Sequence, residues 1–186
     1  MATNKDKARL IEIVRQKSFS NDREITLASG RKSMLYFNMK PTMMDPEGSA
    51  IISEMVIDEL DGVDVDYVGG LEMGAVPIVS MVSPASFRRG RPLKAFFVRK
   101  QAKGHGTQSL IEGLAPGDTL QGKSVVVFED VTTTGGSALK AAQAAREAGA
   151  KVDTVLTLLD RQEGAKEALA AGRLGLMSLL TAGDFV

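Results

Sequence analysis

Apolar side chains recur with a helical period near the start of the chain and in short strand-like stretches soon after it. Over residues 6–17 they return every three or four positions among charged residues, which predicts an amphipathic helix. Residues 24–27 and 34–39 lie on either side of a turn at Ser29 and Gly30, which favours two short strands. The N-terminal part of the chain is therefore expected to be a helix followed by two strands around a glycine turn.

The rest of the chain alternates between helical and strand patterns. A helix is expected after Asp45, because Asp is a good N-terminal cap and Pro46 fits the first helical position, and its apolar pattern ends near Gly62. Four apolar stretches are then typical of buried strands, at residues 63–71, 93–98, 124–128 and 152–159, with helical stretches at residues 75–88 and 137–148. Apolar strands that alternate with helices predict an α/β protein with a parallel sheet covered on both faces. Residues 99–123 show no clear period, and a loop of that length is usually functional or mobile.

The composition is that of an ordinary globular protein, and it narrows the chemistry. The chain has 186 residues, enough for one domain with a real core, and 44% of them are hydrophobic and 25% charged. The 23 basic and 23 acidic residues cancel, so no overall field attracts nucleic acid or an anionic membrane, and neither is expected as a partner. The lack of Cys and the single His exclude a thiolate nucleophile and a Cys-based zinc site, and leave little for a His-based one. With a polar N-terminus and no apolar run near ~18 residues, the expected location is the cytoplasm.

The strongest chemical signal is the stretch VVVFEDVTTTGGSAL at residues 125–139. An apolar strand delivers two adjacent carboxylates, Glu129 and Asp130, at the end of the strand where open α/β sheets bind ligands. The turn into the following helix is rich in hydroxyls and glycines, with Thr132, Thr133, Thr134, Gly135, Gly136 and Ser137. Backbone N–H groups at such a helix N-terminus hold a monophosphate, although a turn that merely caps the helix is the simpler alternative. The combination of strand, paired acids and turn favours a phosphate site beside a diol or a metal.

A second cluster of chemical interest is basic and lies within the segment that shows no period. Arg99, Lys100, Lys103 and His105 fall within seven residues, interleaved with glycines. Mobile cations that close over a departing anionic group would stabilise the charge that builds up in the transition state. His105 could also donate a proton to the leaving oxygen. A solvated basic loop is the alternative interpretation of such a cluster taken alone.

Three stretches of the chain resemble known family motifs. The stretch at residues 125–139 resembles the phosphoribosyl-pyrophosphate (PRPP) motif of the type I phosphoribosyltransferases. VRKQAKGHGT, at residues 98–107, is similar to the catalytic loop of the orotate phosphoribosyltransferases, and SGRKSMLYFNMKPTMMDPEG, at residues 29–48, to the N-terminal hood of that family. The resemblance implies a type I phosphoribosyltransferase fold, an α/β fold in which helices flank a central parallel sheet beside a small hood. One domain would span residues 1–186, with the hood at about residues 20–45, the core at about 46–186 and the catalytic loop at about 99–110.

The resemblance also implies a reaction and a role for each residue of the site. The family converts orotate and PRPP to orotidine 5-monophosphate and pyrophosphate in the synthesis of UMP. It works as a homodimer with shared active sites and uses Mg²⁺ that is held mainly by PRPP. The resemblance therefore implies no direct protein ligand for the metal, with Glu129 and Asp130 as the candidates if the protein contacts it. Lys103, His105, Lys100 and Arg99 would be the catalytic residues. PRPP would be bound by Glu129, Asp130, Thr132, Thr133, Thr134, Gly135, Gly136, Ser137 and Gly74, and orotate by Lys32, Tyr36, Phe37, Thr133 and Arg161.

The chain departs from the family pattern in the turn after its first buried strand and in the hood. Where relatives often have AYKG or ATAG, this chain has LEMG at residues 71–74. Met73 therefore offers no cation to pyrophosphate, and Glu72 beside an anionic group is unfavourable unless it faces a metal or solvent. In the hood, Met34 and Leu35 stand where a proline and an aromatic residue are frequent.

Two other functions are open on the same motifs. A purine phosphoribosyltransferase would share the phosphate turn, but purines lack the carboxylate that an arginine such as Arg161 suits. A PRPP-sensing regulator would need the turn but no catalytic loop, and it usually carries a DNA-binding part. No helix-turn-helix pattern precedes Val63. An orotate phosphoribosyltransferase is the function that all three stretches favour.

Overall fold

Strands and helices alternate along the computed structural model, which describes residues 4–22, 24–26, 32–101 and 110–186. The strands are β1 (Phe19–Ser20), β2 (Ile25–Thr26), β3 (Lys32–Ser33), β4 (Tyr36–Phe37), β5 (Tyr67–Gly69), β6 (Lys94–Ala95), β7 (Phe97–Val98), β8 (Ile111–Glu112), β9 (Ser124–Thr132), β10 (Lys151–Asp160) and β11 (Gly175–Thr181). The helices are α1 (Asn4–Lys17), α2 (Lys40–Met43), α3 (Pro46–Glu59), α4 (Ala75–Arg88), α5 (Gly136–Glu147) and α6 (Ala165–Ala171). A short 3-10 helix, Ala182–Phe185, follows β11.

Five parallel strands form the central sheet. Their order across the sheet is β11-β10-β9-β5-β6, and each neighbouring pair runs parallel. Parallel strands have all their carboxyl ends at one edge of the sheet, which is where open α/β sheets bind ligands. The predicted α/β fold with a central parallel sheet is confirmed.

Helices cover both faces of the sheet. In β9, Val126 and Phe128 belong to a core shared with α1, α2, α3 and α4, whereas Val125 and Val127 belong to a core shared with α5 and α6. Side chains alternate between the two faces along a strand. The side chains of the next two residues of β9, Glu129 and Asp130, therefore leave the backbone on opposite faces of the sheet. Among the described residues, none of the helices combines the length and apolar character needed to cross a membrane.

In the hood segment the strand predicted at residues 34–39 is present only as β4, and the prediction that it pairs across the glycine turn is wrong. β3 pairs with β2, and β4 pairs instead with β1, so that Phe19 lies opposite Phe37. The break has a local cause. The hydroxyl of Ser33 accepts a hydrogen bond from the amide of Leu35 at 3.1 Å, which turns the chain between the two strands.

Two other predicted strands are shorter than expected or divided. The strand predicted at residues 63–71 is limited to β5, because the chain before it is tied by side-chain contacts. Asp66 there accepts a hydrogen bond from the amide of Ser124 at 2.9 Å. The strand predicted at residues 93–98 is divided at Phe96 into β6, in the central sheet, and β7, which pairs antiparallel with β8. This second pairing forms a ribbon beside the central sheet.

The C-terminal region adds elements that the sequence pattern does not predict. α6 has seven residues, which is too short for a clear apolar period. β11 is an edge strand, and its first four residues are exposed or half-buried, so it lacks the continuous apolar run of a central strand. The 3-10 helix after it begins with a capping box. The side chain of Thr181 accepts a hydrogen bond from the amide of Asp184, and the side chain of Asp184 accepts one from the amide of Thr181. These elements complete the sheet on the side of β10.

Candidate active site

A pocket of about 290 Å³ lies at the carboxyl edge of the sheet, in the turn between β9 and α5. It is lined by the predicted phosphate residues Glu129, Thr132, Thr133, Thr134, Gly135, Gly136 and Ser137, together with Val131 and Lys140. Gly135 has a φ of +80°, a left-handed conformation that favours glycine, as the chain enters α5. The hydroxyl of Thr132 is buried and has no hydrogen-bond partner among the described residues. A buried polar group is destabilising without a partner, so the pocket suits a ligand with many hydrogen-bonding atoms, such as phosphate.

The two acids of β9 pack against the start of α4. Glu129 and Asp130 are 8% and 9% exposed. Gly74 directly precedes α4, and a Cβ atom at that position would overlap the carboxylate of Asp130. Glycine at this position therefore lets the turn at residues 71–74 lie directly on the paired acids.

One acid of the pair, Glu129, has a strongly raised pKa. Burial, followed by the charge and the hydrogen bond of neighbouring Asp130, raises the pKa of Glu129 to about 8, and Lys40 and Lys100 oppose that rise. The Oε2 atom of Glu129 is buried and has no hydrogen-bond partner in the part of the chain that the structure describes. Near neutral pH the pair therefore holds less than its full negative charge.

Lys40 is a site residue that sequence reasoning missed. It begins α2, and its Nζ atom lies 3.4 Å from Oδ2 of Asp130. The two residues are 90 positions apart, so no local pattern could connect them. Sequence reasoning also missed Lys140, which lines the pocket after β9 from the first turns of α5. The sequence does indicate Lys140, because this residue follows Ser137 by three positions and therefore lies on the same face of the predicted helix.

Arg161 follows β10 at the same edge and is 7% exposed. Its Nη2 atom donates to Oγ of Ser33 at 3.1 Å and to the carbonyl of Leu35 at 3.0 Å. Its Nε atom donates to Oε1 of Glu163 at 3.0 Å. The guanidinium carbon also lies 5.9 Å from the ring centroid of Phe37. A buried arginine thus joins the hood to the carboxyl edge of the sheet.

The two aromatic residues of the hood have different surroundings. Tyr36 is 41% exposed. Phe37 is buried, and its ring centroid lies 5.1 Å from that of Phe19 and 5.2 Å from that of Phe185. Adjacent residues of a strand point to opposite faces, so the two rings cannot both face one ligand from the same side. The expectation that this pair covers a ligand therefore fits Tyr36 better than Phe37, whose ring belongs to the core.

The basic residues Arg99 and Lys100 line a second pocket of about 430 Å³, which shares Ser137 and Lys140 with the pocket after β9. The structure thus brings this part of the basic cluster next to the turn between β9 and α5. The amide of Lys100 donates to Oε1 of Glu72 at 2.9 Å. The carboxylate of Glu72 is therefore engaged by the backbone at the start of the basic segment, which accounts for an acid in this turn.

One predicted site residue, Lys32, is not joined to this group, and two others, Lys103 and His105, lie outside the described residues. The Nζ atom of Lys32 lies 2.7 Å from Glu24, and the side chains of both are more than half exposed. Exposed ion pairs of this kind contribute little stability, so the pair can open to a ligand at small cost.

Several proteins similar to this chain over its full length are named orotate phosphoribosyltransferase, although no family model matches the chain. An orotate phosphoribosyltransferase of Rhodopseudomonas palustris (strain BisB18) is 53% identical over 186 residues, which cover 100% of this chain and 99% of that protein. The crystal structure of Mycobacterium tuberculosis H37Rv orotate phosphoribosyltransferase in complex with Fe(III) dicitrate has a TM-score of 0.82 at 39% identity, covering 96% of this chain and 98% of that one. The structure of the M. tuberculosis enzyme in complex with PRPP has a TM-score of 0.78 at 36% identity, with the same coverage.

These relatives match the chain over nearly its whole length and not only within a single motif. The sheet and the covering helices are therefore those of a type I phosphoribosyltransferase, as the sequence motifs predict. Identity of 53% over the full chain also exceeds what a shared fold alone requires. The chain belongs to the orotate phosphoribosyltransferases.

Proposed function

We propose that this edge of the sheet binds PRPP and orotate and transfers the phosphoribosyl group to the orotate ring, releasing pyrophosphate and forming orotidine 5-monophosphate for UMP synthesis. The observation that carries the proposal is that a phosphate pocket, a pair of buried acids and a buried arginine share one sheet edge. The amide of Arg161 donates to the carbonyl of Thr132 at 2.9 Å, so the arginine is adjacent to the phosphate turn. A product with a phosphate at one end and a carboxylate at the other fits this arrangement.

The 5-phosphate of PRPP is bound in the turn after β9. Its ligands are the hydroxyls of Thr132, Thr133, Thr134 and Ser137 and the backbone of Gly135 and Gly136 at the start of α5. Glu129 and Asp130 accept hydrogen bonds from the ribose hydroxyls, and bonds to a carboxylate are stronger than those between neutral groups. The unpartnered oxygens of Thr132 and Glu129 support this assignment.

Orotate is bound through its carboxylate by Arg161. The hydrogen bonds that its guanidinium makes to described residues use Nε and Nη2, which leaves Nη1 for a ligand. A planar guanidinium matches a carboxylate in geometry and charge. Thr133, Lys32 and Tyr36 complete the contacts, while Phe37 supports the arginine from the core. This assignment favours orotate over purines, which carry no carboxylate.

The reaction needs mainly orientation and charge stabilisation from the protein, because the ring nitrogen of orotate is itself the nucleophile. As the bond from this nitrogen to the anomeric carbon forms, the bond to pyrophosphate breaks and negative charge builds on the leaving group. Arg99 and Lys100 stabilise that charge from the base of the catalytic loop, and Lys103 and His105 from its middle. The position of Arg99 and Lys100 beside the phosphate turn supports this division of roles.

The acid pair also fits a role toward Mg²⁺. Glu129 and Asp130 offer carboxylate oxygens, the ligands that Mg²⁺ prefers, and Oε2 of Glu129 has no hydrogen-bond partner among the described residues. Within those residues no three His, Asp or Glu side chains converge as a metal site, so the substrate would supply most of the ligands. Bound with PRPP, Mg²⁺ offsets the charge of the pyrophosphate.

The chain is further proposed to work as a cytoplasmic homodimer with shared active sites. α4 carries an exposed face formed by Ser80, Pro84 and Phe87, which recur at helical spacing. Phe87 is 74% exposed, and Met73, in the turn before the helix, is 58% exposed. Such a face suits a second copy of the chain, and most soluble oligomers are symmetric homo-oligomers. The lack of Cys fits a reducing compartment.

The reaction can be tested by following the absorbance of orotate in a mixture of the protein, PRPP and Mg²⁺. We expect loss of the orotate absorbance, together with formation of pyrophosphate. Turnover of adenine or hypoxanthine, with orotate unchanged, would overturn the proposal in favour of a purine enzyme. Binding of PRPP without turnover of any base would instead indicate a PRPP-sensing regulator.

A further inference from the structure

Three phenylalanine rings from distant parts of the chain meet beneath the hood. Phe19 comes from β1, Phe37 from β4 and Phe185 from the 3-10 helix after β11. Their ring centroids are 5.1 Å apart for Phe19 and Phe37, 5.5 Å for Phe19 and Phe185, and 5.2 Å for Phe37 and Phe185. These distances fall in the range at which aromatic pairs attract beyond the burial of their area. We name these three residues the phenylalanine cluster.

The C-terminal member of the cluster is held from two sides. Asp184, its neighbour, accepts a hydrogen bond from the amide of Thr181 at 2.7 Å and lies 3.3 Å from Nζ of Lys7. The guanidinium of Arg15 donates to the carbonyl of Asp184 at 3.0 Å and to that of Phe185 at 3.2 Å. α1 and β11 therefore fix the position of the Phe185 ring, which is 4% exposed.

The phenylalanine cluster extends to the arginine that we assign to the orotate carboxylate. The guanidinium carbon of Arg161 lies 5.9 Å from the centroid of the Phe37 ring, on which it stacks as a cation. The same arginine bonds to Ser33 and to the carbonyl of Leu35, just before β4. A displacement of the Phe37 ring would therefore move both the surface under the guanidinium and the segment that holds its Nη2 atom.

We propose that Phe185 is a positioning residue for orotate recognition, acting through Phe37 on the guanidinium of Arg161. The aromatic and cation contacts of its ring are with Phe19, Phe37 and Arg15, and none of these three residues lines the pocket after β9. Its effect is thus directed to one substrate: orotate depends on the position of Arg161, whereas PRPP depends on the turn after β9. This inference rests on the proposed assignment of Arg161 to the orotate carboxylate.

The test is a comparison of KM for the two substrates in Phe185→Leu, which keeps most of the apolar volume, and in Phe185→Ala. We expect KM for orotate to rise about fivefold in Phe185→Ala and less in Phe185→Leu, with KM for PRPP within about twofold of wild type. Leu174→Ala is the matched control, because Leu174 is also 4% exposed but belongs to the other core, with α5 and α6. It is expected to lower stability by a similar amount and to leave both KM values unchanged.

The inference is overturned if Phe185→Ala, or Phe185→Leu should the alanine variant not fold, changes KM for orotate and for PRPP equally or changes neither. It is also overturned if Leu174→Ala raises KM for orotate as much as Phe185→Ala, because the effect would then be one of general stability. Failure of the proposed function looks different, since wild-type protein would not turn over orotate at all.

Discussion

The ammonium group of Lys40 lies 3.4 Å from Oδ2 of Asp130, so a cation from the end of the hood reaches an acid at the carboxyl edge of β9. The side chain of Lys40 is 55% exposed and that of Asp130 is 13% exposed. Solvent therefore screens one partner of the ion pair but hardly the other. The pair brings positive charge to a site whose proposed ligands, PRPP and orotate, are both anions.

Lys40→Met is predicted to weaken PRPP binding by about threefold to tenfold, because the acid pair then repels the anion with one cation fewer beside it. The measurement is titration calorimetry with PRPP. Lys17→Met is the matched control, since Lys17 pairs with Asp45 at 2.7 Å and has similar exposure. An equal loss of PRPP affinity in both variants would contradict a local role for Lys40.

Glu129 is predicted to make the unliganded protein less stable as the pH rises. Its pKa is raised from 4.5 in the unfolded chain to about 8 in the fold, so the folded state binds more protons between those values. The stability that comes from the protonated form is fully present below pH 4.5 and is lost as the pH rises through about 8. Glu129→Gln, which resembles the protonated side chain, should match wild type near pH 4 and be the more stable protein near pH 8.

This effect is measured by urea unfolding across that pH range without ligand. The difference between the two proteins should grow by up to about 1.4 kcal/mol for each pH unit. Glu147→Gln, a change at an exposed position of α5, is the control and should leave the pH dependence as in wild type. Parallel curves for wild type and Glu129→Gln would show that Glu129 is ionised in the fold.

The shared active site is tested by mixing two inactive variants. Lys103→Ala removes a proposed loop catalyst and Asp130→Asn a proposed ligand of the ribose, and each alone is expected to lose most of its activity. If the loop of one subunit serves the site of its partner, a mixed dimer has one site with both lesions and one with neither. Random exchange of subunits makes half of the dimers mixed, so activity should return to about a quarter of wild type. A mixture that exchanges subunits, confirmed by a tag, but stays inactive would contradict the shared site.

Local sequence patterns were sufficient for the parts of the protein whose cause is local. The phosphate turn follows a buried strand directly, and Gly135 takes the left-handed conformation that such a turn needs. Asp45 caps α3 as predicted, with its carboxylate accepting a hydrogen bond from the amide of Gly48 at 2.9 Å. Both predictions concern residues within a few positions of each other.

The remaining features depend on contacts between distant parts of the chain or on single side-chain bonds. The pairing of Lys40 with Asp130 and the bond from Arg161 to Ser33 join residues 90 and 128 positions apart. Phe37 is an aromatic residue of the kind that can stack on a ligand. Its ring is buried instead, because it packs against Phe185, which lies near the other end of the chain. Periodicity describes which face of an element is apolar, and it does not say which distant residue will cover that face.

The proposed contact between Arg161 and the carboxylate of orotate lies at the sheet edge where PRPP is proposed to bind. It is tested by the ratio of kcat/KM for orotate to that for uracil, which lacks the carboxylate, in wild type and in Arg161→Gln. Wild type is expected to prefer orotate by about 100-fold or more, since bonds to charged groups contribute roughly 1.5–3 kcal/mol each.

Arg161→Gln should lose most of that preference and keep its affinity for PRPP, because the phosphate turn is unchanged. Arg146→Gln is the control: Arg146 also donates to backbone carbonyls, those of Val152 and Gly172, but lies beyond the proposed site. Its preference for orotate should equal that of wild type. A folded Arg161→Gln protein that keeps the wild-type preference would show that Arg161 does not bind the carboxylate of orotate.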